Sequence, residues 1–264
     1  MSKTQKIVIA IVAAFVVGIG GVYAFILSRD DAPAELSTSD LDDALGTTTA
    51  PTPAPISDAA PDPSAESTTT AAPATTDAAA DGAPIDPTDP TDPNGVWTIS
   101  TDSTLGYRVQ EVLGGVDTEG AGRTSDVTGS LTIDGSLAIA AEFTVQMATI
   151  TSDSDRRDGQ FNDRIMSTDD FPTSTFVLTV PIDFGEVPGE GETVSATATG
   201  DLTLRGATNP VTFPVEAKLE GGRIGVLGQI PVLFSDYEIP DPSNGFAIVK
   251  DNGLLEFVLV FDRA

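Results

Sequence analysis

From residue 97 onward, apolar and polar residues alternate with the two-residue period of half-buried β-strands. Seven runs of this kind span residues 105–109, 127–133, 139–147, 176–180, 194–204, 211–219 and 224–234. An eighth, residues 254–261, is nearly apolar on both faces. Turn residues such as Asp134-Gly135 and Glu220-Gly221-Gly222 separate many of the runs. Eight strands with short turns predict an all-β, antiparallel, eight-stranded barrel, because closing the sheet removes its exposed edges.

One segment, roughly residues 155–166, has helical spacing instead. Phe161 and Ile165 lie four residues apart on one face, and Ser152 or Asp153 is placed to cap the N-terminus. A single short helix beside an eight-stranded barrel is suited to covering one of its ends. A barrel of this strand number either fills its interior with side chains or holds one small ligand, and the periodicity does not separate these two cases.

Residues 7–27 form an uninterrupted run of 21 residues without a charge or a proline. Such a helix is roughly 30 Å long, which matches the hydrocarbon core of a bilayer. Because Lys3 and Lys6 precede the run, the positive-inside rule predicts a single-pass anchor with a cytoplasmic N-terminus and an extracytoplasmic barrel domain. The competing interpretation is a cleavable signal peptide that ends at Ala24, and this also exports the chain.

Residues 30–94 have the composition of a linker. They contain fourteen acidic and no basic residues, eleven of the 19 prolines and no aromatic residue. A segment of this kind buries too little apolar surface to offset the entropy lost on ordering. We therefore predict an N-terminal anchor or signal peptide at residues 1–29, a disordered linker at 30–94 and a barrel domain at 95–264.

Composition excludes several classes of function. The chain has no histidine, no cysteine and a formal net charge of −27. Zinc sites with imidazole or thiolate ligands, Ser-His-Asp and Cys-His catalysis and disulfides are therefore excluded, and nucleic acid is an unfavourable partner. The acidic residues 153–163 lack the spacing of an EF-hand, so neither a metal nor a cofactor is expected. Arg156 and Arg157 are candidates for binding an anionic head group, with pairing to nearby Asp as the alternative.

Three stretches carry a family resemblance. They are Trp97-Thr98-Ile99-Ser100-Thr101-Asp102-Ser103, then Arg156-Arg157-Asp158 with Phe161, Ile165-Met166-Ser167, Asp170-Phe171-Pro172 and Thr175-Phe176, and finally Gly200-Asp201-Leu202-Thr203-Leu204-Arg205-Gly206 with Thr208, Pro210-Val211-Thr212 and Phe213. In this order they resemble the YceI-like family of lipocalin-like, polyisoprenoid-binding domains. Many members carry histidine in the last stretch, where this chain has Arg205, so no property that depends on imidazole is expected.

The resemblance implies an elongated barrel whose tunnel holds an isoprenoid or similar long-chain lipid without catalysis. Such a ligand is recognised by buried apolar area, at roughly 25 cal/mol per Å². Candidate lining residues are Leu105, Tyr107, Val109, Phe143, Val145, Met147, Phe161, Ile165, Phe171, Phe176 and Leu178. The expected partners are this lipid, the membrane through the N-terminal helix, and a second copy of the chain. The alternatives are a structural or adhesive envelope domain with a filled barrel and, third, an enzyme that acts on a lipid.

Overall fold

The chain folds into thirteen strands of one antiparallel sheet and two short α-helices within residues 32–46, 92–245 and 247–264, which the computed structural model describes. The helices are α1 Thr38–Leu45 and α2 Asp155–Gln160, and a π-helical turn, Phe161–Ile165, continues α2. The strands are β1 Gly95–Ile99, β2 Thr104–Leu113, β3 Val116–Thr124, β4 Val127–Asp134, β5 Leu137–Gln146, β6 Thr151–Ser152, β7 Thr173–Val180, β8 Ile182–Asp183, β9 Thr193–Leu204, β10 Ala207–Glu220, β11 Arg223–Leu233, β12 Ala247–Val249 and β13 Asn252–Arg263.

The sheet closes because its first and last long strands pair. Strand β1 pairs with β4 on one side and with β13 on the other, which completes a ring in the order β1-β4-β5-β7-β9-β10-β11-β13. This confirms the predicted eight-stranded antiparallel barrel. At the opposite end of β13, strands β2 and β3 extend the wall, and the further partner of β3 within the described residues is the two-residue β6. The barrel therefore has a narrow end, closed by β1, and a wide end, where helix α2 lies.

Strand β13 is buried on both faces, as its sequence suggested. Its inward residues Phe257, Leu259 and Phe261 belong to the barrel core. Its outward residues Val258 and Val260 belong to a second apolar cluster on the outside of the wall. That outer cluster exists because an N-terminal segment, residues 32–46, packs over β11 and β13. We call this segment the strap.

The strap was not predicted, because it falls within the supposed disordered linker at residues 30–94. Its leucines Leu36, Leu41 and Leu45 are all buried against the outer wall. Helix α1 comes close because β11 presents Gly225 beneath it, where an added Cβ would lie 2.5 Å from Leu41 Cδ1. Residues 47–91 of the linker lie outside the described residues.

Polar contacts fix the strap at both of its ends. At its start, Arg108 donates to the carbonyl of Pro33 at 2.5 Å, and the backbone N–H of Leu36 donates to Glu256 at 2.8 Å. Farther along, Lys218 Nζ lies 2.9 Å from the carboxylate of Asp42. Buried leucines and matched charges together make the strap part of the folded domain.

Helix α2 confirms the single helix predicted beside the barrel, but neither predicted N-cap is correct. Ser154 caps it instead, accepting a hydrogen bond from the backbone N–H of Arg157 at 3.4 Å. Ser152 is bonded to Asp158, at 2.6 Å between the hydroxyl and the carboxylate. Residues 7–27, the predicted anchor, lie outside the described residues. None of the helices in the described part of the chain has the length and apolar character needed to cross a bilayer.

Candidate functional site

A cavity of about 490 Å³ occupies the wide half of the barrel. Its wall is built by residues of β2, β5, β9, β11 and β13, with smaller contributions from β7 and β12, together with α2 and its π-helical turn. The lining is predominantly apolar because each of these strands turns its aliphatic and aromatic residues inward. A volume of this size is within the range of small-molecule sites, so the barrel is hollow where it is widest.

The structure brings eight of the eleven sequence-predicted lining residues together around this cavity. They are Leu105, Tyr107, Val109, Phe143, Val145, Met147, Phe161 and Ile165. The other three lie elsewhere. Phe176 and Leu178 border a smaller void nearer the narrow end. Phe171 lies at the wide end outside the cavity, with the Arg205 guanidinium 5.5 Å from the centre of its ring.

An aromatic pair joins the helical segment to the wall at the cavity. Tyr107 of β2 and Phe161 of the π-helical turn stack in parallel, with ring centres 5.1 Å apart. The ring of Tyr107 lies over Gly122 of β3, where an added Cβ would be 2.6 Å from the ring. Burial raises the pKa of the Tyr107 phenol, and the nearby carboxylates Asp158 and Glu111 add to this effect while Arg157 opposes it. The phenol therefore stays neutral at physiological pH.

Three charged residues of the lining form an ion-pair cluster. Arg157 lies 2.9 Å from Glu111 and also pairs with Asp153. Burial disfavours its charge, but Glu111 and Asp153 outweigh this and raise the pKa of Arg157. Arg157 therefore pairs with acidic neighbours, the alternative to binding an anionic head group. Arg156 also lines the cavity, is exposed and makes no ion pair within the described ranges.

Four phenylalanines meet across the middle of the barrel. Successive ring centres lie 5.3 Å apart for Phe143–Phe176, 5.4 Å for Phe176–Phe213, 6.1 Å for Phe213–Phe257 and 5.5 Å for Phe257–Phe143. We call this closed circle of rings the aromatic floor. The void on its far side measures about 70 Å³, and Phe143 and Phe257 line both it and the cavity. The floor therefore separates the two spaces.

The narrow end is plugged by Trp97, which is completely buried. Its indole N–H donates to the carbonyl of Pro93 at 2.8 Å, and the guanidinium of Arg263 lies 4.6 Å from the centre of its ring. Arg263 in turn donates to the carbonyl of Asn94 at 2.9 Å. Trp97 therefore closes this end of the barrel, and the cavity opens toward the wide end.

The lining of the cavity is mostly apolar. No group of three or more acidic residues in residues 32–46, 92–245 and 247–264 is arranged to hold a metal ion. The charged residues of the lining lie on β2, at Arg108 and Glu111, and at or next to α2, whereas aliphatic and aromatic side chains form most of the remaining interior. Such a surface binds an apolar body through its buried area.

Sequence reasoning missed much of the far wall of the cavity. The additional lining residues include Leu202, Leu204, Ile230, Val232, Leu255 and Phe257. All are inward members of strands that the periodicity identified. The signal was present as alternation in β9 and β11 and as a continuous apolar run in β13. Neither pattern tells which residues along a strand line a cavity.

Comparisons with known proteins agree with this architecture. The family model described as YceI-like domain matches residues 97–261. A solved polyisoprenoid-binding domain from Saccharophagus degradans, implicated in plant cell wall breakdown, is 16% identical, with a TM-score of 0.53 over 64% of this chain and 98% of that one. BcnA from Burkholderia cenocepacia is 24% identical, with a TM-score of 0.49 over 61% and 98%. No curated protein sequence matches the chain.

Proposed function

Since the chain belongs to the YceI-like domain family, we propose that its barrel binds a polyisoprenoid or similar long-chain lipid and performs no chemistry on it. The observation that carries this proposal is the apolar cavity of about 490 Å³ in the wide half of the barrel. An apolar chain placed there gains roughly 25 cal/mol for each Å² removed from water. The solved domain of similar fold is itself described as polyisoprenoid-binding.

The polar groups of the cavity lining favour a lipid that has an apolar tail and a polar end. A lipid entering from the wide end would lay its tail against Phe143 and Phe257 and leave its polar end near α2. Arg156 is the exposed cation at that position. The alternative of a structural domain filled by its own side chains fits the narrow half of the barrel, where the aromatic floor and Trp97 lie, but not the hollow half.

Binding is tested with geranylgeraniol as the probe and the purified full-length chain stripped of co-purifying lipid. At a ligand concentration a hundredfold above Kd, binding stabilises the folded state by about 2.7 kcal/mol. For a domain of this size that corresponds to a rise in Tm of about 5–10 °C. Native mass spectrometry before stripping is expected to show a long-chain lipid bound. A protein that carries no lipid and shows no rise in Tm with the probe contradicts the proposal.

A matched pair of variants on β5 tests the location of the ligand. Val145 faces the cavity, whereas its neighbour Thr144 faces the outside of the same strand. Val145→Trp fills the cavity and is expected to abolish the rise in Tm that the probe causes, each variant being compared with its own ligand-free Tm. Thr144→Trp adds the same ring outside and is expected to retain the rise. Equal responses of the two variants would place the ligand elsewhere.

We further propose that the barrel is extracytoplasmic and held close to a membrane by residues 7–27. The strap supports this arrangement, because it begins at residue 32 and is fixed to the barrel by Arg108 and Glu256. The chain from Leu27 to Ala32 reaches at most about 18 Å when fully extended. An anchored N-terminus would therefore hold the wall formed by β2 and β13 beside the bilayer.

The anchor is tested by fractionating cells that express the full-length chain. The protein is expected to stay with the membranes after a high-salt wash, and a variant that lacks residues 7–27 is expected to lose this association. High salt removes proteins held only by surface charge, because ion pairs at the bilayer surface are screened. A mature N-terminus at Phe25 would instead establish cleavage and contradict the anchor.

A further inference from the structure

The aromatic floor is the end wall of the cavity. Phe143 and Phe257 border the cavity on one face and the smaller void of about 70 Å³ on the other. Phe176 and Phe213 border only the smaller void. A chain that enters from the wide end therefore meets the rings of Phe143 and Phe257 first, and it stops there as long as the circle of rings is closed.

Two of the four rings rest on glycines of the barrel wall. An added Cβ at Gly200 would lie 2.5 Å from Phe176 Cζ, and one at Gly228 would lie 2.3 Å from Phe257 Cζ. Missing side chains at these inward positions let both rings lie close to the backbone. Gly129 lies opposite Phe143, but an added Cβ there would approach the Phe143 backbone, 2.8 Å from Cα, and not primarily its ring. Phe143 is also the most exposed of the four, at 8% against 3–4% for the others. Its ring is therefore the one that blocks passage.

The space beyond the floor is suited to an apolar chain end. Its lining includes the small residues Ala138, Ala141, Ala198 and Ala217 as well as aliphatic and aromatic side chains. These alanines keep the bore open immediately behind Phe143. Beyond them, the buried Trp97 plugs the narrow end.

We propose that Phe143, within the aromatic floor, sets the length of the apolar chain that the barrel accepts, and that the void behind it is a blocked extension of the same tunnel. This inference rests on the proposed lipid binding and adds its length specificity. A chain longer than the cavity must leave its remaining units outside at the wide end, where they gain nothing from burial. Removing the Phe143 ring joins the two spaces and lets the chain extend toward the narrow end.

The test uses the stripped full-length chain and a series of prenyl alcohols of increasing length: geraniol, farnesol, geranylgeraniol and geranylfarnesol. Kd for each is measured by native mass spectrometry. In the unsubstituted protein, Kd is expected to tighten roughly fourfold for each methylene-sized group newly buried, and to stop tightening at one member of the series. In Phe143→Ala, the tightening is expected to continue for at least one further isoprene unit.

Val145→Ala is the matched control, because Val145 lines the cavity but not the void behind the floor. It widens the cavity and is expected to leave the last tightening member unchanged. Gly228→Ala forces the ring of Phe257 off the wall and is expected to move the limit toward shorter alcohols. If Phe143→Ala does not fold, Phe143→Leu is measured in its place.

The outcomes separate the two proposals. If the unsubstituted protein binds none of the alcohols, lipid binding itself is contradicted and the length inference is overturned with it. If the unsubstituted protein binds them and the folded Phe143 variant keeps the same limit, only the length inference is overturned. A limit that moves equally in Phe143→Ala and Val145→Ala also overturns it, because volume rather than the floor would then control length.

Discussion

Glu256→Ala is expected to lower the free energy of unfolding by about 3–5 kcal/mol, because it leaves the largely buried Arg123 without its counter-charge and Arg108 with only one of its two carboxylate partners. Glu256 is completely buried on the outer face of β13. One carboxylate oxygen lies 2.5 Å from Arg123 Nη2 and 3.2 Å from Arg108 Nε, and neither ion pair has hydrogen-bond geometry. The other oxygen accepts the N–H of Leu36. The Glu256 side chain therefore contacts both the barrel wall and the strap.

Chemical denaturation with matched variants measures this effect. Glu256→Gln keeps the size of the side chain and an acceptor for Leu36, so a smaller loss is expected. Glu119→Gln removes the other carboxylate paired with Arg108, but Glu119 is 44% exposed, and a loss of at most about 1 kcal/mol is expected. A double-mutant cycle with Leu41→Ala then reports whether Glu256 acts through the strap. A loss below 1 kcal/mol for Glu256→Ala would show that the arginines are satisfied without it.

Trp97→Ala is expected to have an effect of similar size at the narrow end, about 3–5 kcal/mol. It removes a completely buried indole together with its hydrogen bond to Pro93 and its contact with Arg263. Because Trp97 is the only tryptophan, unfolding of this variant must be followed by circular dichroism rather than by fluorescence.

Two further variants separate packing from polar contact at this plug. Trp97→Phe keeps a ring and loses the N–H donor, so a loss of roughly 1–3 kcal/mol is expected. Val96→Ala alters the adjacent residue, which is 50% exposed, and is expected to stay within about 0.5 kcal/mol of the unsubstituted protein. If Trp97→Ala were no more damaging than Val96→Ala, the narrow end would not depend on this plug.

Periodicity identified most of the barrel wall, with β13 as a continuous apolar run, but it identified neither β1 nor β3. The inward residues of β3 include Thr118, Gly120 and Gly122, which have no apolar signal. The fold explains why these residues are small. Gly122 lies under the ring of Tyr107, and Gly120 lies close to the guanidinium of Arg157. Periodicity detects large apolar side chains, whereas the small inward residues of β3 leave room for the side chains of Tyr107 and Arg157.

The sequence contains evidence for the strap, but the overall composition of residues 30–94 led to the prediction of a disordered linker. Leu36, Leu41 and Leu45 lie within ten residues of an otherwise polar segment, and Ser37 with Asp40 forms a capping box. The two apolar faces of β13 implied a cover on the outside of the barrel. Neither observation alone identifies the partner, because both surfaces are short and their pairing joins residues more than 200 positions apart.

The cavity was only partly predictable for a similar reason. Phe143 and Phe176 lie on neighbouring strands, opposite each other in the register of β5 and β7. One of them lines the cavity and the other does not. The difference arises from Gly200, which lets the Phe176 ring retreat to the wall. Which aromatic side chain fills a barrel and which borders an opening depends on contacts between strands distant in sequence.

Because the strap packs on the barrel, the acidic segment between Gly46 and Asp92 begins and ends on the same folded domain. The carbonyl of Ala44 lies 3.5 Å from the guanidinium of Arg223, which pairs with Asp262. The carbonyl of Asn94 is bonded to Arg263, the next residue of β13. The residues that flank the segment are thus both bonded near the C-terminal end of β13. The segment therefore connects two parts of the same folded domain. Changing the number of residues between 47 and 91 would therefore leave the strap, and the point at which the chain enters it, in place.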